Sequence, residues 1–163
     1  SGKWKDPFSS ADHTARQRAY NRALRGTGGA YTPQMVIDGA AETVGSRQSE
    51  VDRLIARRES ADAAGTVTIV EDAGTLAIRV EAKPGATIRL VRFARAIVTR
   101  VAGGENAGKS LAEAHVVRRA EALGVVGGSP FTATARASVA GEGCAVLVED
   151  GDGGRVLAAQ YCP

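Results

Sequence analysis

The hydrophobic pattern of the chain changes once, near residue 62, and this change constrains the fold more than any other feature. Before it, apolar residues recur at helical spacing over residues 11–24 and 51–58. After it, apolar and polar residues alternate in short runs separated by glycine-rich turns, as antiparallel strands do. The pattern predicts an α+β chain, with a first part over residues 1–61 and an antiparallel β-sandwich-like domain over residues 66–163.

The first part is predicted to hold two helices with a β-hairpin between them. The first helix covers residues 11–24, and a second one runs from about 46 to 60. Between them, a strand Gln34–Ile37 and a strand around Glu42–Val44 flank the turn Asp38-Gly39. Thr32-Pro33 enters this hairpin, and proline restrains the chain before the strand.

One stretch of the β domain is ambiguous. Residues 113–123 have the local propensities of a helix, but they lie among segments that alternate. These surroundings favour a strand over Val116–Ala122.

Composition excludes several classes of protein. No run of about 18 apolar residues occurs, so we expect no membrane span, and the N-terminus has no apolar signal-peptide core, although a signal could have been removed. The net charge is +3, and the 17 arginines are spread along the chain instead of being clustered, which argues against nucleic-acid binding. Two cysteines and the isolated His13 and His115 give no metal site. We expect no cofactor.

Cys144 and Cys162 can form a disulfide bond across a hairpin. If the hairpin turns at Gly153, paired residue numbers sum to 306, which sets the two cysteines opposite each other. Cross-strand Cβ atoms are then close to disulfide distance. A disulfide would imply an oxidising compartment; the alternative is two free thiols.

The segment from Gly103 to Ser110 satisfies the Gly-x4-Gly-Lys-Ser pattern of a phosphate-binding loop. That loop requires a buried parallel strand before it, whereas Thr99 and Arg100 belong to an alternating strand. We therefore interpret the segment as a loop of the β domain.

Three segments in the first part resemble domain-of-unknown-function family 1223, a family of secreted bacterial proteins with a thioredoxin-like part and an appended β domain. Later stretches of the chain resemble further parts of the family in the same order. The matching segments are Trp4-Lys5-Asp6-Pro7-Phe8, Arg16-Gln17-Arg18-Ala19-Tyr20, Tyr31 to Gly39, Gly104 to Leu111, Val116-Val117-Arg118, and the final strands around Val146-Leu147-Val148 and Val156 to Ala159.

The resemblance implies that residues 1–61 are the C-terminal part of a thioredoxin-like domain. It also implies that Tyr31-Thr32-Pro33 is a cis-proline loop, where a peptide or protein partner would bind; the residues alone fit an ordinary turn proline. Trp4 and Asp6 could line a ligand surface or, in the case of Trp4, pack against the adjacent helix and sheet.

The chain departs from the family in one respect. Family members usually carry a Cys-x-x-Cys motif upstream of the residues aligned with Trp4, and this sequence does not contain it. We therefore expect a periplasmic or secreted thioredoxin-like protein that is itself non-catalytic and has no assigned catalytic residue. The alternative is the C-terminal portion of a thiol-disulfide oxidoreductase whose cysteine motif is missing or lies on another chain; that missing N-terminal segment would then be the partner.

Overall fold

The computed structural model describes residues 10–59, 63–103, 107–128 and 130–163. These residues form two helices and nine strands, which are α1 Ala11–Arg25, β1 Gln34–Ile37, β2 Ala41–Val44, α2 Gln48–Glu59, β3 Gly65–Asp72, β4 Thr75–Ala82, β5 Thr87–Arg100, β6 Ser110–Val125, β7 Phe131–Arg136, β8 Glu142–Glu149 and β9 Val156–Tyr161. The α+β class predicted from the sequence is confirmed. Neither described helix is long and apolar enough to cross a membrane.

The ends of α1 follow from its flanking residues. The Ser10 hydroxyl accepts a hydrogen bond from the backbone N–H of His13 at 3.1 Å, which caps the first turn. Gly26 ends the helix in the left-handed conformation with φ 68°, where an L side chain would be strained. The predicted helix is therefore confirmed, with one additional residue at its C-terminus.

The hairpin β1–β2 lies between the two helices. Its register runs from Gln34 opposite Val44 to Ile37 opposite Ala41, so the predicted first strand is confirmed. Ile37 is buried on the face that packs against α2. On the opposite face, the Gln34 amide hydrogen-bonds to two side chains of α1. The hairpin thus connects the helices through one apolar and one polar face.

The remaining strands form two antiparallel sheets. One has the order β3-β4-β7 and the other the order β6-β5-β8-β9. Alternate residues of β4, such as Leu76, Ile78 and Val80, are buried together with Ile88 of β5 and Val146 of β8. Because buried side chains of both sheets form one cluster, the sheets pack face to face as in a sandwich.

β5 and β6 are longer than the pattern predicted. Apolar and polar residues alternate in two separate short runs over residues 88–91 and 97–101, which favours two strands, whereas β5 is continuous over 14 residues. Register shifts after Ile88 and after Arg92 allow β5 to keep pairing with β6 along its whole length. Of the residues of β5, only Thr87 to Ala94 pair with β8. Residues 113–123 are part of β6, so the strand interpretation is confirmed.

The hairpin turn contacts the β domain directly. The backbone N–H of Val156 donates to the carbonyl of Asp38 at 2.7 Å. A Cβ atom at Gly39, where φ is 60°, would lie 2.5 Å from the carbonyl oxygen of Gly154. Glycine is therefore required for this close approach as well as for the turn.

The domain limits at 61 and 66 stay a prediction.

A buried carboxylate joins α1 to the four-stranded sheet. Glu149, at the end of β8, is fully buried and faces α1 on the outer side of the sheet. Its Oε1 accepts a hydrogen bond from Arg16 of α1, and its Oε2 accepts one from Arg89 of β5 at 3.0 Å. Arg89 also forms an ion pair with Asp152. Both oxygens of the buried acid are thus paired, as such a group requires.

Replacement of the buried acid should destabilise the protein. The side chains of Arg16 and Arg89 are only 28% and 13% exposed, so Glu149→Gln leaves Arg16 without this counter-charge and leaves Arg89 with Asp152 alone. We expect a loss of about 3 kcal/mol in the free energy of unfolding, measured by urea denaturation; this lies at the low end for a broken buried pair because the amide still accepts hydrogen bonds.

Glu81→Gln is the matched control, because the Arg79–Glu81 pair is exposed. Its effect should stay within about 0.5 kcal/mol. Equal losses in the two variants would contradict a structural role of the buried pair.

Candidate functional site

The Tyr31-Thr32-Pro33 loop is accessible. It connects α1 to β1, and the Thr32–Pro33 peptide bond is cis. Thr32 and Pro33 are exposed, whereas Tyr31 is half-buried. The other predicted surface residues, Trp4 and Asp6, lie outside the described residues. A binding role for the loop stays a prediction. The exposure of Thr32 and Pro33 is what such a role requires.

The loop is held in position by polar side chains of α1. The Gln17 amide donates to the Tyr31 carbonyl at 2.9 Å and to the Gln34 side-chain oxygen at 3.0 Å. Asn21, which is fully buried, donates to the Gly29 carbonyl at 2.7 Å and accepts from the Gln34 amide at 2.6 Å. A buried amide such as Asn21 that is hydrogen-bonded in this way specifies one arrangement of the neighbouring chain.

The second support of the loop is the Tyr31 hydroxyl, which donates to the Glu42 carboxylate of β2. The Arg25 guanidinium lies 4.9 Å from the centre of the Tyr31 ring and 3.7 Å from the same carboxylate. Burial and the hydrogen bond to Glu42 raise the pKa of Tyr31 above its ordinary value, although Arg25 opposes the rise. The phenol is therefore neutral and acts as a donor.

Sequence reasoning did not identify this network. Gln17 and Asn21 are four residues apart and so lie on one face of α1. Two amides at helical spacing on an alanine-rich helix were the available signal. Their partners Gln34 and Glu42 become neighbours only through the hairpin register.

The outer edge of β1 lies beside the loop. The Pro33 carbonyl accepts from the Gly45 backbone N–H at 2.9 Å. Backbone groups alternate in direction along an antiparallel strand, so those of Gln34 and Val36 point away from β2. Within the described residues, β1 pairs with no strand other than β2. Among the described residues, the donors and acceptors of this edge next to Thr32 and Pro33 have no strand partner.

The two cysteines are bonded to each other. Cys144 and Cys162 are joined with an S–S distance of 2.05 Å, and their Cα atoms are 5.3 Å apart. The β8–β9 register pairs Ala145 with Tyr161, which is the predicted alignment; it shifts only between Val148 and Glu149. The disulfide lies at the end of this hairpin, on elements different from those that hold the Tyr31 loop.

The described part of the chain contains no cluster of three or more His, Cys, Asp or Glu side chains that could hold a metal ion. His115 contacts Phe93, with ring centres 4.8 Å apart, and Tyr161. His13 lies in α1, apart from that group. Of the phosphate-loop-like segment, residues 104–106 lie outside the described residues. Gly103 follows β5 of the antiparallel sheet, and this context differs from that of a phosphate-binding loop.

Comparison with known proteins identifies the family of the chain. The family model "Protein of unknown function (DUF1223)" matches residues 2–149. The chain belongs to the DUF1223 family. A crystal structure of a protein from Agrobacterium tumefaciens, solved as a structural genomics target, is similar to this DUF1223 chain with a TM-score of 0.78 and 29% sequence identity. The match covers 99% of this chain and 74% of the other. No curated protein matches the sequence.

Stability should fall at alkaline pH. Burial raises the pKa of Tyr20 against the opposing charge of Arg16, and burial also raises that of Tyr31. The unfolded chain then releases these protons first, so the contribution of the two tyrosines to the free energy of unfolding is fully present up to about pH 9 and is lost above about pH 10. Urea midpoints measured across this range test the expectation.

Tyr31→Phe is the informative variant for this alkaline loss. It should lower stability at neutral pH by about 1 kcal/mol, because Glu42 loses a donor, while making the decrease above about pH 10 shallower. An unchanged alkaline slope would show that Tyr31 does not contribute.

The disulfide should stabilise the β domain. It closes a loop between residues 18 positions apart, so reduction should lower the free energy of unfolding by roughly 3 kcal/mol in the chain-entropy treatment. Urea denaturation with and without dithiothreitol measures this difference. The double variant Cys144→Ala and Cys162→Ala should show no response to the reductant. Two titratable thiols in the unfolded, non-reduced chain would contradict the bond.

Proposed function

We propose that this DUF1223 chain is a non-catalytic binding module of a thioredoxin-like protein. Its ligand is an extended polypeptide segment, which adds as a strand to the outer edge of β1 beside Thr32 and Pro33. The segment comes either from a partner protein or from an N-terminal segment of the same protein. The unpaired edge of β1 is the observation that carries the proposal.

The arrangement around this edge suits strand addition. Backbone donors and acceptors of Gln34 and Val36 supply affinity that does not depend on sequence, as in other cases of β-augmentation. The polar network from Gln17 and Asn21 holds the adjoining loop before the partner arrives. A fixed loop lowers the ordering cost of binding.

The side chains available support binding over catalysis. The chain has two cysteines, and they are bonded to each other, so no thiolate is present to attack a substrate disulfide. The disulfide in turn supports a periplasmic or secreted location, because such bonds persist in oxidising compartments. The segment from Tyr31 through Gly39 resembles the corresponding family segment, and this resemblance supports the assignment of residues 1–61 to a thioredoxin-like domain.

Strand addition can be tested by hydrogen–deuterium exchange. The probe is reduced, carboxymethylated α-lactalbumin, a permanently unfolded polypeptide. We expect its addition to protect the backbone amides of Gln34 and Val36, while those of β3 remain unchanged. Unchanged exchange at Gln34 and Val36, at saturating probe, would reject the proposal.

Thr32→Lys tests the position of the ligand. The residue is exposed, so the fold should tolerate the change, whereas a strand beside it should bind at least about tenfold more weakly. Thr68→Lys, also at an exposed strand position, is the matched control and should bind normally. Equal weakening in both variants would contradict binding at this edge.

A longer form, in which a segment is added N-terminal to this chain, distinguishes the two sources of the ligand and also tests the redox alternative. If Gln34 and Val36 are already protected there, the occupant is its own N-terminal segment; if they exchange until a probe is added, it is a partner. Insulin reduction by the longer protein, and not by this chain, would favour the alternative in which the chain is part of an oxidoreductase.

A further inference from the structure

A cavity between α1 and the four-stranded sheet is unusually rich in arginine. Its volume is about 620 Å³, within the range of small-molecule sites. We call it the arginine pocket and define it by its five arginines, which are Arg16, Arg22, Arg89, Arg118 and Arg119. It lies on a part of α1 different from the face that supports the Tyr31 loop.

Positive charge exceeds negative charge in and around the arginine pocket. Two carboxylates, Asp12 and Asp152, line it directly. Two more carboxylates do not line the pocket but form ion pairs with arginines that do: Glu149 pairs with Arg16, and Glu121 pairs with Arg119. Even with all of them counted, five arginines face four described carboxylates. An anion is therefore the class of ligand that the pocket favours.

Two of the arginines are fixed before any ligand binds. The buried Glu149 holds Arg16 and Arg89, and Arg16 also donates to the Tyr20 hydroxyl at 2.6 Å. A guanidinium has five N–H donors. Arg16 uses only Nη2 in these contacts, and Arg89 uses Nε and Nη2. Within the described residues, donors of both side chains thus remain for a ligand.

The other wall of the pocket is formed by a bulge in β6. Arg92 pairs with Arg119, but Phe93 pairs with Val117, so Arg118 has no opposite residue on β5. Neighbouring side chains of a regular strand point to opposite faces. The bulge alters this alternation, and both Arg118 and Arg119 line the same pocket.

We propose that the arginine pocket binds a small polyanion, a compact molecule that carries several phosphate or carboxylate groups. The guanidinium group matches both chemistries with paired N–H donors. Among the described residues, the pocket lining contains no Trp, Tyr or Phe side chain on which a base could stack, and its one aromatic ring is the small imidazole of His13, which favours a small ligand over single-stranded nucleic acid. This proposal is independent of strand addition at β1.

Calorimetric titration of the chain with pyrophosphate and with citrate tests the proposal. The probe that binds with the higher affinity shows whether phosphate or carboxylate groups are preferred. Binding should weaken as salt is raised, because the contacts are ionic. No binding of either probe at low salt would overturn the proposal. Tighter binding of a single-stranded oligonucleotide than of both probes would also overturn it.

Arg22→Gln and Arg119→Gln locate the site. Both side chains are exposed, so the melting temperature should stay near that of the unmodified chain. Each change should weaken binding of the preferred probe by about tenfold, through the loss of a charge-assisted hydrogen bond. Arg53→Gln on α2 is the matched control, because it removes the same charge from an exposed helix position. An equal loss of affinity in the control would show that only net charge matters.

Discussion

The buried carboxylate of Glu149 is the interaction on which the arrangement of this protein depends. An unpaired charge in that position would cost several kcal/mol, and both of its oxygens are therefore occupied by arginines from two different elements. Arg16 can reach the carboxylate only when α1 lies across the outer face of the four-stranded sheet. The ion pair consequently fixes the helix relative to the sheet, and with it the hairpin that α1 supports.

Polar contacts have this importance because α1 has little apolar surface to bury. Of its fifteen residues, all of them described, Asn21 is the one that is buried. The sequence suggested an alanine-based apolar stripe, but Ala15 and Ala23 are exposed. A short helix without a buried apolar face is marginal by itself. Its position is set instead by the Gln17 and Asn21 amides on one side and by Arg16 on another.

Features that depend on local alternation could be predicted from the sequence. The strand Gln34–Ile37 and the β8–β9 register that brings Cys144 opposite Cys162 follow from period-two patterns and turn residues. The same reasoning misjudged Arg89. Its alternate strand position is typical of a solvated residue, yet its side chain is 13% exposed. Strand periodicity shows which face a residue occupies, but not which distant element covers that face.

The arginine pocket could not have been predicted either, because strand periodicity does not show which distant elements come together. A second reason is the bulge in β6. The pocket lining combines α1, β5, β6 and the loop before β9, which are far apart in the sequence. In addition, the bulge at Arg118 interrupts the regular alternation of side chains along β6, and no local sequence pattern indicates it. Because α1 contributes to this pocket and also supports the Tyr31 loop, one polar helix positions both candidate sites. Its sequence is therefore constrained by pairing partners on two sides more than by burial.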